Sequence, residues 1–220
     1  MNARIRRRVE MGRRALLFSR AHADASAGYA ATLARLEGLL ARSDALSEQQ
    51  LNGLHIARAA SERKRELRRM MKTGHLRHLI EVARHAAGEE PELAARFVLP
   101  ELDASYLAFS TMARTLAAEA SANREVLVRH GLVESVLDDL VGALGRFEQA
   151  LALAAEGRRA HVGASAELER VAVEVVAVVK VLNGLNRIRF ATDAEQLAAW
   201  RSASKILRTA RGAGEVKPAA

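Results

Sequence analysis

Residues 168–185 read Leu-Glu-Arg-Val-Ala-Val-Glu-Val-Val-Ala-Val-Val-Lys-Val-Leu-Asn-Gly-Leu. Apolar side chains recur in this stretch at every third or fourth position, which is the spacing of one face of an α-helix. The valines would also suit a buried strand, but the run is long, has no turn signal and carries charges on one helical edge, at Glu167, Arg170 and Glu174. We therefore predict a helix whose buried face consists of Leu168, Val171, Val175, Val178, Leu182 and Leu185.

The same spacing occurs in two segments upstream of this helix. One runs from Tyr106 to His130, and the following Gly131 predicts a stop because glycine readily adopts the left-handed backbone after a helix. A break is also predicted between Gly157 and Gly163. The helix before that break carries its apolar face on Val133, Leu137, Leu140, Leu144, Phe147 and Leu151.

The N-terminal part of the chain also shows helical periodicity. A first long helix is predicted over residues 3–42, with a break at residues 43–44. Ser47 and Gln50 then form a plausible capping box for a second helix. Residues 73–74, a threonine and a glycine, predict an interruption or kink within it.

These patterns predict an all-α fold, an antiparallel bundle of about four to five long helices with a short C-terminal helix. We expect a single helical-bundle domain over residues 1–210, with two helical halves joined near residues 89–104. Residues 211–220 hold two glycines and a proline and are predicted to form a disordered tail.

The composition restricts the chemistry and the location of the chain. Half of the residues are hydrophobic and there is no cysteine, which excludes disulfides, thiolate zinc sites and cysteine nucleophiles. Residues 171–185 are the most apolar stretch, but they contain Glu174 and Lys180 and are too short to cross a bilayer. The sequence thus predicts a cytoplasmic protein without a membrane span.

The positive charge is concentrated in the first part of the chain. Residues 1–89 hold 18 Lys and Arg against 9 Asp and Glu, whereas the remainder holds 16 against 17. Arg65, Arg68, Arg69 and Lys72 follow one another at helical spacing and form a cationic stripe that could contact phosphates without reading a sequence. No aromatic residue is interleaved with the stripe for stacking on bases.

The alternative to phosphate binding is a solvated helix face. In that case the stripe would pair with acidic residues of the chain such as Glu134, Asp138 and Asp139. Both interpretations stay open at the level of the sequence.

A candidate metal site lies in the segment that follows the stripe. His78, Glu81 and His85 share one helical face, and two imidazoles with a carboxylate suit zinc or a similar ion. The alternative is a polar face in water beside Arg77 and Arg84. A buried di-iron centre is not expected, because no Glu-x-x-His motif occurs.

Three stretches carry a resemblance, Met71-Lys-Thr-Gly-His-Leu-Arg-His-Leu79, His161-Val-Gly-Ala-Ser-Ala-Glu-Leu168 and Val181-Leu-Asn-Gly-Leu-Asn-Arg187. They resemble segments of an uncharacterised family of bacterial all-helical proteins, over about the last two thirds of the chain. The resemblance implies a bacterial cytoplasmic protein and transfers no activity and no site residue.

No catalytic motif and no cofactor motif stands out in the sequence, so enzyme activity is not predicted. The leading hypothesis is a non-enzymatic interaction or scaffold protein that self-associates through wide apolar helix faces. The alternatives are sequence-independent binding of nucleic acid or another polyanion through the basic stripe, and a metal-binding bundle.

Overall fold

The computed structural model describes residues 1–99 and 104–207. All regular elements within these two ranges are helical, which confirms the predicted all-α fold. The tail predicted at residues 211–220 lies outside the described residues. The helices are α1 (Ala3–Ala21), α2 (Ala27–Met70), α3 (Leu76–Ala86), α4 (Glu92–Arg96), α5 (Tyr106–Ala122), α6 (Arg124–Arg129), α7 (Glu134–Arg189) and α8 (Ala194–Ala203), with a π-helical turn (Met71–His75) between α2 and α3.

The chain divides into two compact units. Unit one comprises the described parts of Met1–Asn52 and Ala160–Ala220, and unit two comprises the described part of Gly53–Arg159. The described part of the segment near residues 89–104, where a junction between two halves is expected, belongs to unit two. Each unit has its own cluster of buried apolar side chains.

The core of unit one is built around the C-terminal part of α7. Leu168, Val171, Val175, Val178 and Leu182 are all buried there, as their spacing predicts. The predicted stripe fails only at its last position, where Leu185 is 37% exposed. Buried side chains of α1, α2 and α8 complete this core, among them Ile5, Val9, Leu36, Leu40 and Trp200.

The core of unit two is built around the N-terminal part of α7. Leu137, Leu140, Leu144 and Phe147 are buried as predicted, whereas Val133 precedes the helix and is 57% exposed. The remaining core side chains come from the end of α2, from α3 to α6 and from the adjoining loops, and include Leu67, Leu76, Ile80, Leu93, Phe109 and Leu127.

Two predicted helix breaks are wrong. The first predicted helix ends at Ala21 instead of residue 42, and residues 43–44 lie in the middle of α2. The hydroxyl of Ser47 does not cap a helix there, because it donates to the carbonyl oxygen of Ser43 one turn earlier at 2.8 Å. Gln50 donates instead to the hydroxyl of Ser165, at 2.6 Å.

The predicted break between Gly157 and Gly163 is also absent, because α7 is continuous from Glu134 to Arg189. Gly157 serves helix packing. A β-carbon at this position would lie 2.7 Å from the backbone nitrogen of Ala57 and 2.7 Å from the carbonyl oxygen of Gly53 in α2. Gly163 is exposed within the helix and has open space around it.

Two polar residues, His22 and Asn123, have the helical spacing of the apolar residues before them, Phe18 and Ala120, yet they lie at helix ends. His22 follows α1, and its Nδ1 lies 2.9 Å from the carbonyl oxygen of Phe18. Asn123 separates α5 from α6, and its amide donates to the carbonyl oxygen of Glu119 at 2.8 Å. The stop predicted at Gly131 is confirmed by its positive φ of 99°.

No helix in the described residues is long and apolar enough to cross a membrane.

The carboxylate of Glu148 makes the stability of unit two depend on pH. The hydroxyl of Ser110 donates to Glu148 at 2.8 Å, and Arg114 forms an ion pair with the same carboxylate. The hydrogen bond from Ser110 and the charge of Arg114 together hold the pKa of Glu148 below its ordinary value. The folded form therefore favours the ionised carboxylate more than the unfolded chain does.

This lowered pKa predicts an acid-sensitive contribution to stability. The contribution is complete above the unfolded pKa and is lost as the pH falls through the folded pKa. We expect the variant Glu148→Gln to lose less stability than the wild type between pH 6 and pH 3, as measured by urea unfolding at each pH. The control is Glu156→Gln, since Glu156 is exposed and has no ion pair in the described structure. Equal pH profiles for Glu148→Gln and the wild type would contradict the assignment.

Candidate polyanion-binding site

The four cations predicted to form a stripe lie around one cavity of unit two. Arg65, Arg68 and Arg69 come from α2, and Lys72 comes from the π-helical turn that follows it. The cavity has a volume of about 260 Å³, and Thr73 and Tyr106 complete its lining. We call this the basic cavity.

The helical repeat of α2 explains why these side chains point away from the core. Ala57, Ala60, Lys64, Leu67 and Met71 are the buried side of the helix, spaced three or four residues apart. Arg65 and Arg69 fall on the opposite side and are exposed, while Arg68 is half-buried at the edge.

The π-helical turn carries the last part of the basic cavity. Its geometry is marked by the hydrogen bond from the backbone N–H of Leu76 to the carbonyl oxygen of Met71, five residues earlier. Lys72 and Thr73 both lie within this turn and both line the cavity. The interruption predicted at residues 73–74 is therefore present, as a widened helical turn.

Tyr106 is the first residue of α5 and closes the cavity from a second helix. The hydroxyl of Ser105 caps this helix by accepting the backbone N–H of Ala108 at 3.1 Å. The ring of Tyr106 lies 4.2 Å from Nζ of Lys64 and 5.4 Å from Cζ of Arg68. Such contacts between cations and aromatic faces are attractive and orient both charged groups.

Arg68 also lies over a second ring of α5. Its Cζ is 5.1 Å from the ring centroid of Phe109, which is fully buried. Lys64 is only 8% exposed, and its ammonium group lies against the ring of Tyr106. Two of the cations of this region are thus positioned by aromatic side chains.

The ion pairs of unit two leave part of the stripe available to an anion. Arg63 pairs with Glu66 at 2.8 Å, and both side chains are exposed. Arg65 and Arg69 form no ion pair with any described carboxylate. Glu134 and Asp138, which the alternative interpretation pairs with the stripe, contact Arg124 instead, at 3.1 Å and 4.0 Å.

The candidate metal residues are not brought together as ligands. Glu81 accepts a hydrogen bond from Nε of Arg77 at 3.1 Å, and His85 is exposed with its ring 5.7 Å from that of His130. Nε2 of His78 is buried without a hydrogen-bond partner. Across residues 1–99 and 104–207, no three His, Asp or Glu side chains are arranged to hold a metal ion.

The sequence interpretation missed the aromatic part of the basic cavity. No aromatic residue is interleaved with the stripe in the sequence, and the aromatic side chain that lines the cavity, Tyr106, comes from α5, at least 34 positions further along the chain. The sequence indicates only that Tyr106 begins an apolar helix face. It does not indicate which other helix that face contacts.

The chain shows no significant similarity to known protein families, to curated proteins or to solved structures.

Proposed function

We propose that this chain is a non-enzymatic binding protein that holds a phosphate-bearing polyanion in the basic cavity, without reading a base sequence. The observation that carries the proposal is the convergence of Arg65, Arg68, Arg69 and Lys72 on one cavity lined by Tyr106. Three guanidinium groups suit phosphate oxygens because each presents a planar set of donors.

The charge balance of the cavity supports a polyanion as the ligand. Two of its arginines, Arg65 and Arg69, form no ion pair with a described carboxylate, so a phosphate would not have to displace an internal partner from them. Phosphate contacts of this kind release condensed counterions, which drives binding independently of base sequence. The described residues of the lining include no carboxylate or amide side chain that could distinguish base edges.

The test is binding to a labelled oligothymidylate of twelve nucleotides, measured by fluorescence anisotropy at low salt. We expect the double variant Arg65→Gln/Arg69→Gln to bind roughly tenfold more weakly or worse, since it removes two phosphate contacts. The matched control is Arg35→Gln/Arg84→Gln, which removes the same charge from two exposed arginines without a described ion pair. An equal loss in both double variants would mean that only net charge matters and would refute a defined site.

A second candidate function is self-association through unit one. On α7 the side chains of Val173, Val181 and Ile188 are 51%, 54% and 81% exposed, and they follow one another on one face with Ala177 and Gly184. In an antiparallel pair of these helices Ala177 would face Gly184 of a second copy, and Val173 would face Ile188. The face is therefore complementary to itself, as a two-fold symmetric contact requires.

Light scattering coupled to size exclusion tests self-association. We expect the wild type to approach the mass of a dimer as its concentration rises, and Val181→Glu to stay monomeric. Val162→Glu is the matched control, since Val162 is an exposed valine of the same helix that lies three turns before Val173, beyond the stretch that a paired α7 would cover. A wild-type particle that stays monomeric at every concentration would remove this candidate.

A further inference from the structure

The basic cavity is the end of a longer row of cations along α2. A neighbouring cavity of about 290 Å³ is lined by Ala57, Arg58, Ser61, Glu62, Arg65 and Arg158. A third, of about 310 Å³, is lined by Glu62, Arg65, Glu66 and Arg69. Arg65 lines all three cavities, so they adjoin one another.

Helical geometry places the cations of this row on one line. At 3.6 residues per turn, Arg58, Arg65, Arg69 and Lys72 fall within a sector of about 60° around the helix axis. The rise per residue separates the first from the last by about 21 Å along that axis. Arg158 of α7 adds a further cation at the end that Arg58 occupies.

Two acidic side chains of the described residues border this row. Glu62 and Glu66 lie toward one edge of the sector, and Glu66 is engaged by Arg63 at 2.8 Å. Arg58 and Arg158 are exposed and form no ion pair with a described carboxylate. Among the described residues, the four arginines Arg58, Arg65, Arg69 and Arg158 therefore outnumber the two carboxylates that line these cavities.

We propose that this row, which we call the α2 track, binds a linear chain of phosphates laid along α2, in the form of a single nucleic-acid strand or inorganic polyphosphate. This inference rests on the proposed function and extends it from one cavity to a site of defined length and direction. A length of about 21 Å corresponds to about six nucleotides of a stacked strand at 3.4 Å each.

The shape of the track favours a single chain over other phosphate-bearing surfaces. A lipid surface presents its headgroups in a plane and would be matched by cations spread across a flat face, whereas these cations form one line. A duplex is read by an element that enters one of its grooves, whereas the track is a row of shallow cavities. A charged groove that follows one backbone is typical of single-strand binding.

The experiment measures binding as a function of ligand length. Oligothymidylates of two, four, six and twelve nucleotides, inorganic polyphosphates with matched numbers of phosphates and a twelve-base-pair duplex are titrated at low salt into the full chain. The variant is Arg58→Gln/Arg158→Gln, and Arg35→Gln/Arg84→Gln is the charge-matched control. Circular dichroism verifies that all variants are folded.

We expect the affinity of the wild type to rise up to about six nucleotides and then to level off. The Arg58→Gln/Arg158→Gln variant should bind the two-nucleotide ligand like the wild type and the six-nucleotide ligand on the order of tenfold more weakly, because only the longer ligand reaches the far end. The control should follow the wild type at every length. This pattern with either oligothymidylate or inorganic polyphosphate supports the α2 track. The polymer that binds more tightly identifies which of the two is the ligand.

Three results overturn the α2 track while leaving the proposed function intact. One is an affinity that levels off at two nucleotides, and another is a six-nucleotide affinity that is unchanged in Arg58→Gln/Arg158→Gln. The third is tighter binding of the duplex than of the single strand. Absence of binding at every length would instead refute the proposed function itself.

Discussion

Replacing Trp200 with alanine is expected to lower the free energy of unfolding by about 3–5 kcal/mol, the range found when a large buried aromatic side chain is truncated. Trp200 is fully buried, and its ring centroid lies 5.4 Å from that of Phe18. Its indole N–H donates to Oδ1 of Asn183 at 3.0 Å. The substitution therefore leaves a cavity between α8, α1 and α7 and removes the hydrogen bond that ties α8 to α7.

Urea unfolding measures this effect. It is followed by circular dichroism and not by tryptophan fluorescence, because the variant lacks the only tryptophan of the chain. Trp200→Phe is the matched control. It keeps most of the buried ring and should lose clearly less stability than Trp200→Ala. A loss below about 1 kcal/mol for Trp200→Ala would contradict the packing of α8 described above, since such a value is typical of a surface substitution.

The second large effect is expected at Gly157, where α2 and α7 touch through their backbones. A β-carbon there would lie 2.7 Å from backbone atoms of both Gly53 and Ala57, and backbone atoms cannot rotate away as a side chain can. We expect Gly157→Ala to destabilise the protein by about 1–3 kcal/mol through overpacking. This loss of stability is opposite to the effect of helix propensity, because alanine is a better helix former than glycine by about 1 kcal/mol.

Gly145→Ala provides the matched control for this substitution. Gly145 lies in the same helix and the same unit, is exposed, and has open space where the β-carbon would be. Helix propensity should then act alone, and Gly145→Ala should be neutral or stabilising by up to about 1 kcal/mol. Thermal unfolding of both variants, followed by circular dichroism, tests this prediction. A change in stability of the same sign in both variants would argue against close contact at Gly157.

The apolar faces of the helices could be predicted because they depend on spacing within one segment. Leu137 to Phe147 and Leu168 to Leu182 recur every third or fourth residue and are buried. The ends of these faces could not be predicted. Leu185 has the right spacing and is still 37% exposed, because burial depends on whether another helix extends that far.

The predicted helix boundaries were wrong where a residue type can have more than one structural role. A glycine within a helical pattern predicts a break next to Gly157, whereas this residue is the point at which two helices approach closely. The spacing of Ser47 and Gln50 predicts a helix cap, whereas the hydroxyl of Ser47 donates to a carbonyl oxygen of the preceding turn within a continuous helix. Conversely, His22 and Asn123 fitted an apolar stripe by spacing and mark helix ends.

The candidate site also has a part formed by residues close in sequence and a part formed by residues far apart in sequence. Arg65, Arg68 and Arg69 are neighbours on one helix, so their spacing sufficed to group them. Tyr106 and Arg158 come from other helices, and only the tertiary structure brings them to α2. Spacing also grouped Glu81 with two histidines, but it could not reveal that Glu81 is engaged by Arg77.

The dependence of affinity on salt tests most directly whether the cations of α2 hold phosphates. Affinity for a twelve-nucleotide oligothymidylate is measured from 20 to 200 mM NaCl, and its logarithm is plotted against the logarithm of the salt concentration. With about 0.7 counterions released per neutralised phosphate, contacts to four cations predict a slope of about −3 or steeper. In Arg65→Gln/Arg69→Gln the slope should be shallower by about 1.4. A slope between 0 and −1 in the wild type, or an unchanged slope in this variant, would contradict the account.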